Sequence, residues 1–271
     1  MIIDFHTHAF APAVAAHALA SLMEHSGMLP CTDGTVMGLQ QAMRRAGVNH
    51  SVILPIATKA SQHQVVNDFA HAVNQLEGMT GFGSVYPLAP DALDTLDRIA
   101  ALGLKGIKLH PEYQSFDVDD PRVLPVYEKA SRLGLITVFH CGVDISYGSG
   151  PVRTTPERMH NILDCFSAPV VASHLGGWLQ WGEVLEHLAG TDIYLDTAFL
   201  YGRIPHQLAV QIVQKHDARR ILFGSDSPWS EIEHELHLVR SLKCSPEREA
   251  AILGGNAARL LGLSTEDMAD N

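Results

Sequence analysis

The feature that most limits how this chain can fold is a repeated alternation of short apolar, β-branched runs with longer amphipathic stretches. The runs fall at 1–5, 51–56, 81–86, 106–109, 135–139, 170–173, 192–195 and 220–224. Helical stretches separate them, near 35–47, 62–77, 91–103, 121–133, 155–167, 178–189, 205–216 and 230–241. A strand, a helix and a further strand in that order return the chain to the same end of a sheet, which specifies parallel pairing. Eight such units predict an α/β fold closed into a (β/α)8 barrel, with an open doubly wound sheet as the alternative. Pro90, Pro121 and Pro156 stand where helices should start, and Gly47, Gly78, Gly103 and Gly134 where they should stop. Segment 11–33 is long for a first strand–helix connection, and 246–263 reads as a final helix against the barrel. With no composition break or low-complexity stretch, one domain over 1–271 is expected.

Charge and cysteine usage narrow the partners. The formal net charge is −11 and no Lys/Arg-rich block stands out, so a small molecule is expected as partner rather than nucleic acid or an anionic membrane. The N-terminus has no basic stretch followed by an apolar run, and no apolar segment is long enough to span a bilayer. Cys31, Cys141, Cys165 and Cys244 are widely spaced and form no C-x-x-C pair, which fits a reduced, cytoplasmic protein. The sequence leaves a homo-oligomer open.

In a parallel barrel, chemistry gathers at the C-terminal ends of the strands. The first run ends Phe5-His6-Thr7-His8, and strand alternation sends His6 and His8 to one side. The fifth run ends in His140 and the sixth in Ser173-His174-Leu175-Gly176-Gly177. The eighth ends Gly224-Ser225-Asp226, where the aspartate is either a ligand or a cap for the next helix. A lone histidine at such a place is more often a hydrogen-bonded core residue. Four at strand ends, with a carboxylate beside them, read as a divalent-metal site, because neutral imidazoles and carboxylates are donors that zinc accepts.

This ordered set, with the ending Gly254-Gly255-Asn256-Ala257-Ala258-Arg259-Leu260-Leu261-Gly262-Leu263, resembles the amidohydrolase superfamily. In particular it resembles the amidohydrolase-related branch that includes aminocarboxymuconate-semialdehyde decarboxylase. The resemblance spans nearly the whole chain. It implies a distorted TIM barrel with a metal at its mouth, held by His6, His8, His140, His174 and Asp226, with Asp226 and His174 as the catalytic pair. Zinc is the first expectation, as one ion. The fourth strand of the superfamily often supplies a bridging ligand, so a carboxylated Lys108 would make the site binuclear. The alternative for Lys108, with His110 beside it, is to grip a substrate carboxylate.

Three reactions fit this reading. In the leading one, a metal-activated water attacks an amide, ester or lactone carbonyl of a small substrate. The others are metal-dependent decarboxylation or other carbon–carbon cleavage of a small unsaturated acid, and metal-independent lactone hydrolysis. A binding protein without catalysis would have little reason to keep five such residues at strand ends. Most of the remaining histidines, including those on helices or loops such as His63 and His216, are expected to be mainly solvated. His234-Glu235-Leu236-His237 has the wrong spacing for a zinc-binding helix, and Gly81-Phe82-Gly83 lacks the third glycine of a dinucleotide loop. Tyr113, Tyr147, Arg153, Trp178, Tyr201, Arg203 and Trp229 follow strands and are candidates for a pocket wall.

Overall fold

Among the described residues, nine parallel strands follow one another in chain order: β1 (Ile3–Thr7), β2 (His50–Ile53), β3 (Met79–Gly81), β4 (Gly83–Ser84), β5 (Gly106–Leu109), β6 (Ile136–Phe139), β7 (Val170–Ala172), β8 (Tyr194–Asp196) and β9 (Ile221–Leu222). The computed structural model describes residues 1–147 and 150–263; the ends of the expected domain, 264–271, and residues 148–149 lie outside the described residues. Strands β3 and β4 are two halves of one barrel position. β3 pairs with β2, Phe82 donates its N–H to the Ile53 carbonyl at 3.0 Å, and β4 then pairs with β5. The eight runs therefore correspond to eight positions of a (β/α)8 barrel. No ladder joins β1 to β9 among the described residues, but three backbone bonds cross that seam: Phe5 N–H to Phe223 O at 2.8 Å, Asp226 N–H to His6 O at 2.8 Å and His8 N–H to Ser227 O at 2.6 Å.

A helix follows each position, and local chemistry accounts for several of their limits. Thr35 caps the helix Val36–Ala46 by accepting from Gly38 N–H, and Thr155 caps Pro156–Asn161 by accepting from Arg158 N–H. Two starts differ from expectation. Pro90 lies outside the helix Ala92–Ala101, whose first flanking residue Asp91 makes no side-chain cap bond and faces His63, and the helix predicted from 121 begins at Leu124 with Pro125 in its first turn. The long first connection holds a full helix, Pro12–Ser26. Gly81 and Gly83 pack under the helix His63–Val73: a methyl group on Gly81 would overlap the Ala70 carbonyl. That close approach is what this glycine pair provides.

Two apolar layers hold the barrel. One lies between strands and helices, and includes Ile53, Ile107, Leu109, Phe139, Leu195 and Phe223. The other fills the barrel's lower end, where Ile3, Phe5, Val52, Phe82, Val138 and Leu222 meet Ala257, Ala258 and Leu261 of the C-terminal helix Asn256–Leu261. That helix plugs the end opposite the histidines. Each large side chain buried in these layers contributes roughly 1.5–3 kcal/mol.

Two histidines expected at the surface are instead buried fasteners. His63 accepts from Tyr86 N–H at 2.8 Å, and His216 accepts from Gly190 N–H at 3.1 Å while its other nitrogen donates to Ile193 O at 2.9 Å. Each imidazole satisfies backbone groups that buried loops would otherwise leave unpaired.

Candidate metal centre

Strict alternation would put Phe5 and His6 on opposite faces. The β1–β2 register shifts between Asp4 and Thr7. Phe5 thus joins the interior cluster while His6 turns its ring into the pocket above. Asp226 sits just past β9 in the left-handed region, φ 67°, its N–H bonded to the His6 carbonyl. The first and last strand ends are tied together here, and their polar side chains meet.

His6 Nδ1 is 2.9 Å from Asp196 Oδ2, and His8 Nδ1 is 2.9 Å from the Leu54 carbonyl. Each of these nitrogens faces an acceptor and so carries the ring hydrogen. In the neutral rings the Nε2 atoms are then bare lone pairs. They lie 3.2 Å apart, and Asp226 Oδ1 is 3.3 Å from His6 Nε2 and 3.1 Å from His8 Nε2. Three electron-pair donors facing one another repel unless a cation or proton sits among them. Donors bound tetrahedrally at about 2.0–2.1 Å are themselves roughly 3.3 Å apart. The residues therefore fit a small divalent ion.

Burial and the neighbouring Lys108 push the His6 pKa down to about 4, so its ring is neutral at pH 7. Burial opposes ionisation of Asp226, but His6 and His8 outweigh it and hold the carboxyl below its usual range. Lys108 is also buried. It donates to Ser173 Oγ at 3.0 Å, lies 3.5 Å from His6 Nε2, and is lowered by burial to about 8 although Asp196 and Asp226 work the other way.

The other two expected ligands lie on the same pocket but are not drawn into this trio. His174 Nδ1 donates to the Ala198 carbonyl at 3.0 Å, and its Nε2 is 3.1 Å from His140 Nδ1. Followed along that chain, the hydrogen on His140 is at Nδ1, and its Nε2 is a buried atom with no hydrogen-bond partner. His140 groups instead with His110 and Asp144: the two rings stack at 4.1 Å, and Asp144 Oδ2 is 3.4 Å from His110 Nε2 and 4.0 Å from His140 Nε2. Burial lowers the pKa of both His110 and His140 well below the ordinary histidine range.

These groups form the polar floor of a cavity of about 200 Å³, walled by Phe10, Leu54, Ile56, Val143, Phe199 and Trp229. Of the loop residues singled out above, Tyr113, Trp178 and Trp229 line it. Tyr201 and Arg203 line an adjoining groove, Tyr147 is largely exposed, and Arg153 turns away to Asp117. Sequence reasoning missed Asp196 and Asp144. Asp196 is the last residue of β8, and an acid at the end of an apolar run is the same signal that pointed to Asp226 after β9; Asp144 lies in a loop with no such marker.

Glu235 is a third omission. It is fully buried and accepts backbone hydrogens of Leu200 and Tyr201 and the Ser230 hydroxyl, tying two rim loops together. Burial raises its pKa to about 7 from an ordinary 4.5. A carboxyl raised on folding gives stability that is complete below 4.5 and lost as pH climbs through 7. Glu235→Gln keeps the shape of the protonated acid. Wild type is therefore expected to lose on the order of 2–3 kcal/mol relative to Glu235→Gln between pH 4.5 and 7. Chemical denaturation of both proteins across that range is the measurement, and parallel profiles would refute it.

Fold and floor together define a barrel enzyme whose polar groups converge at the strand C-termini. The amidohydrolase family profile matches residues 3–263, and the chain belongs to that family. Among curated proteins, none matches it significantly. Solved structures similar to it include an uncharacterized TIM-barrel protein from Bordetella bronchiseptica, at 23% identity and TM-score 0.75 over 97% of this chain and 98% of that one. Another is a putative 2-pyrone-4,6-dicarboxylic acid hydrolase from Pseudomonas putida, at 17% identity and TM-score 0.68 over 97% and 98%. A third is a dihydroxybenzoic acid decarboxylase from a Polaromonas strain, solved with bound manganese and 2-nitroresorcinol, at 16% identity and TM-score 0.71 over 99% of each chain. No helix among the described residues is long and apolar enough to cross a membrane.

Proposed function

We propose that this enzyme is a metal-dependent hydrolase that cleaves an amide, ester or lactone bond of a small substrate containing one ring. The observation that carries this reading is the trio of opposed electron-pair donors, His6 Nε2, His8 Nε2 and Asp226 Oδ1, on the floor of an apolar pocket. One zinc ion suits the two imidazoles and the carboxylate of this trio and leaves a position open to water, while His140, grouped with His110 and Asp144, stays outside it. Such an ion supplies Lewis-acid polarisation of a carbonyl and makes a nearby water acidic at neutral pH.

The chain's own groups do the rest. Asp226, ionised, takes a proton from the attacking water as the new carbon–oxygen bond forms. It returns that proton to the nitrogen or oxygen leaving group as the scissile bond breaks. His174 stays unligated and, through its Nε2 lone pair, holds the ring hydrogen of His140 at Nδ1. Lys108 grips a substrate carboxylate. The walls take the ring: a cavity of about 150 Å³ accepts benzene, so about 200 Å³ leaves room for a ring with a small substituent. A small molecule, rather than nucleic acid or a membrane surface, is the partner, and four free cysteines suit the cytoplasm.

Decarboxylation of a ring acid is the second reading. It is favoured by the water-excluding walls and by the decarboxylase among the similar structures. One set of measurements separates the two. Purified protein is expected to hold about one zinc per chain, to lose activity on chelation and to regain it with zinc. With aryl esters, acyl amides and lactones in ¹⁸O water, label should enter the acid product. Carbon dioxide release from ring acids without label uptake would replace hydrolysis by the second reading, and full activity without metal would overturn both. Lys108→Met should raise KM for carboxylate-bearing substrates by roughly 10–100-fold, since a hydrogen bond to a charged group contributes about 1.5–3 kcal/mol. Loss of metal in that variant would instead make Lys108 a bridging ligand.

A further inference from the structure

Asp196 is fully buried, and its two oxygens do different work. Oδ1 accepts the backbone N–H groups of His174 at 2.9 Å and Ala198 at 3.1 Å. Oδ2 takes the Nδ1 hydrogen of His6 at 2.9 Å. Two residues on, the Ala198 carbonyl takes the Nδ1 hydrogen of His174 at 3.0 Å. A single strand end, Asp196-Thr197-Ala198, thus faces the Nδ1 side of two pocket histidines with acceptors only, and both rings turn their Nε2 lone pairs away from it. The His6 lone pair meets His8 and Asp226; that of His174 meets His140 Nδ1.

We infer that Asp196 is a positioning residue that fixes the tautomer of His6 and thereby creates the cation site. This rests on the metal reading above for its consequence, but not for the tautomer itself. The chemistry gives it a sharp form. In Asp196→Asn the amide oxygen stays on the two backbone N–H groups, which have no other acceptor, and the amide NH2 replaces Oδ2. A donor then faces His6 Nδ1, which must answer with a lone pair. The ring hydrogen moves to Nε2 and points at His8 Nε2 and Asp226 Oδ1, where the cation would sit. The same exchange of carboxylate for amide beside a catalytic histidine is ruinous in serine proteases, where it enforces the wrong tautomer.

The test uses ¹⁵N-histidine-labelled, metal-free protein, in which NMR distinguishes protonated from bare ring nitrogens. Wild type is expected to carry the His6 hydrogen on Nδ1, and Asp196→Asn on Nε2. Zinc affinity, measured by competition with a chromophoric chelator, should fall about 10–100-fold in the variant. The thermal midpoint should stay close to wild type, because both backbone bonds are kept. His6 protonated at Nε2 in wild type overturns the inference without any variant, so it stands or falls even if Asp196→Asn does not fold. An unchanged tautomer or an unchanged zinc affinity in the variant overturns it too. A wild-type protein that binds no zinc sinks the metal assignment alone, since the tautomer is read without metal.

Discussion

Replacing Asp226 with Asn is expected to lower kcat/KM by about 10²–10⁴-fold while leaving the barrel folded. The size follows from what the side chain is assigned to do, taking a proton and returning it, which an amide cannot. The intact fold follows from the backbone. Asp226 occupies the left-handed region at φ 67°, a conformation that Asn tolerates almost as well as glycine. Its N–H bond to His6 O and its acceptance from Trp229 N–H are main-chain and survive the change. Alanine would confuse lost charge with lost backbone preference, so Asn is the informative variant. Steady-state kinetics, metal content and circular dichroism together check it. Near-normal turnover in a folded Asp226→Asn protein would remove Asp226 from the chemistry.

Gly142→Ala should cost stability on a scale few single changes reach, about 2–5 kcal/mol, and lower the melting midpoint by on the order of 10 °C. Gly142 has φ +90°, and a methyl group there would overlap the backbone N and O of Trp178. The two chain segments are stitched by Trp178 N–H to Cys141 O at 2.9 Å and Val143 N–H to Trp178 O at 3.0 Å, so neither can step aside alone. This stitch lies two residues after His140 and carries Trp178 on the pocket wall, so damage should extend to the site. Gly103→Ala is the control. Its φ is +72°, but nothing lies within 4 Å of the added methyl, so only the backbone cost of about 1–2 kcal/mol should appear. Equal losses in calorimetry would show that packing at Gly142 is unimportant.

What could be read in the sequence was what local patterns encode. Apolar runs of strand length, amphipathic stretches between them, and polar residues at run ends are visible one segment at a time. They led to eight barrel positions and to a pocket floor with His6, His8, His140, His174 and Asp226 on it. The departures come from contacts between segments. The β1 irregularity exists because β1 must pair with β2 and also cross to the last strand end, which no alternation within Phe5-His6-Thr7 reveals. Asp196 looks like any strand-end acid until His6, 190 residues earlier, is placed against it. His63 and His216 resemble surface helix residues until the loops that they fasten fold over them. Of the five groups expected round an ion, His6, His8 and Asp226 are in mutual contact and a His174–His140 chain lies beside them, an arrangement that residue type alone does not reveal.

The seam between the two ends of the barrel sets a condition on assembly. The donors that meet at 3.1–3.3 Å come from residues 6, 8 and 226, near opposite ends of the polypeptide. On the ribosome nothing resembling this centre can exist until almost the whole length has emerged, and contacts so remote in sequence form slowly because a long loop must close first. Ion capture would then be the last event of maturation, arriving with ring closure. Shortened products ending before residue 226 would keep His6 and His8 but lack the third donor of the trio.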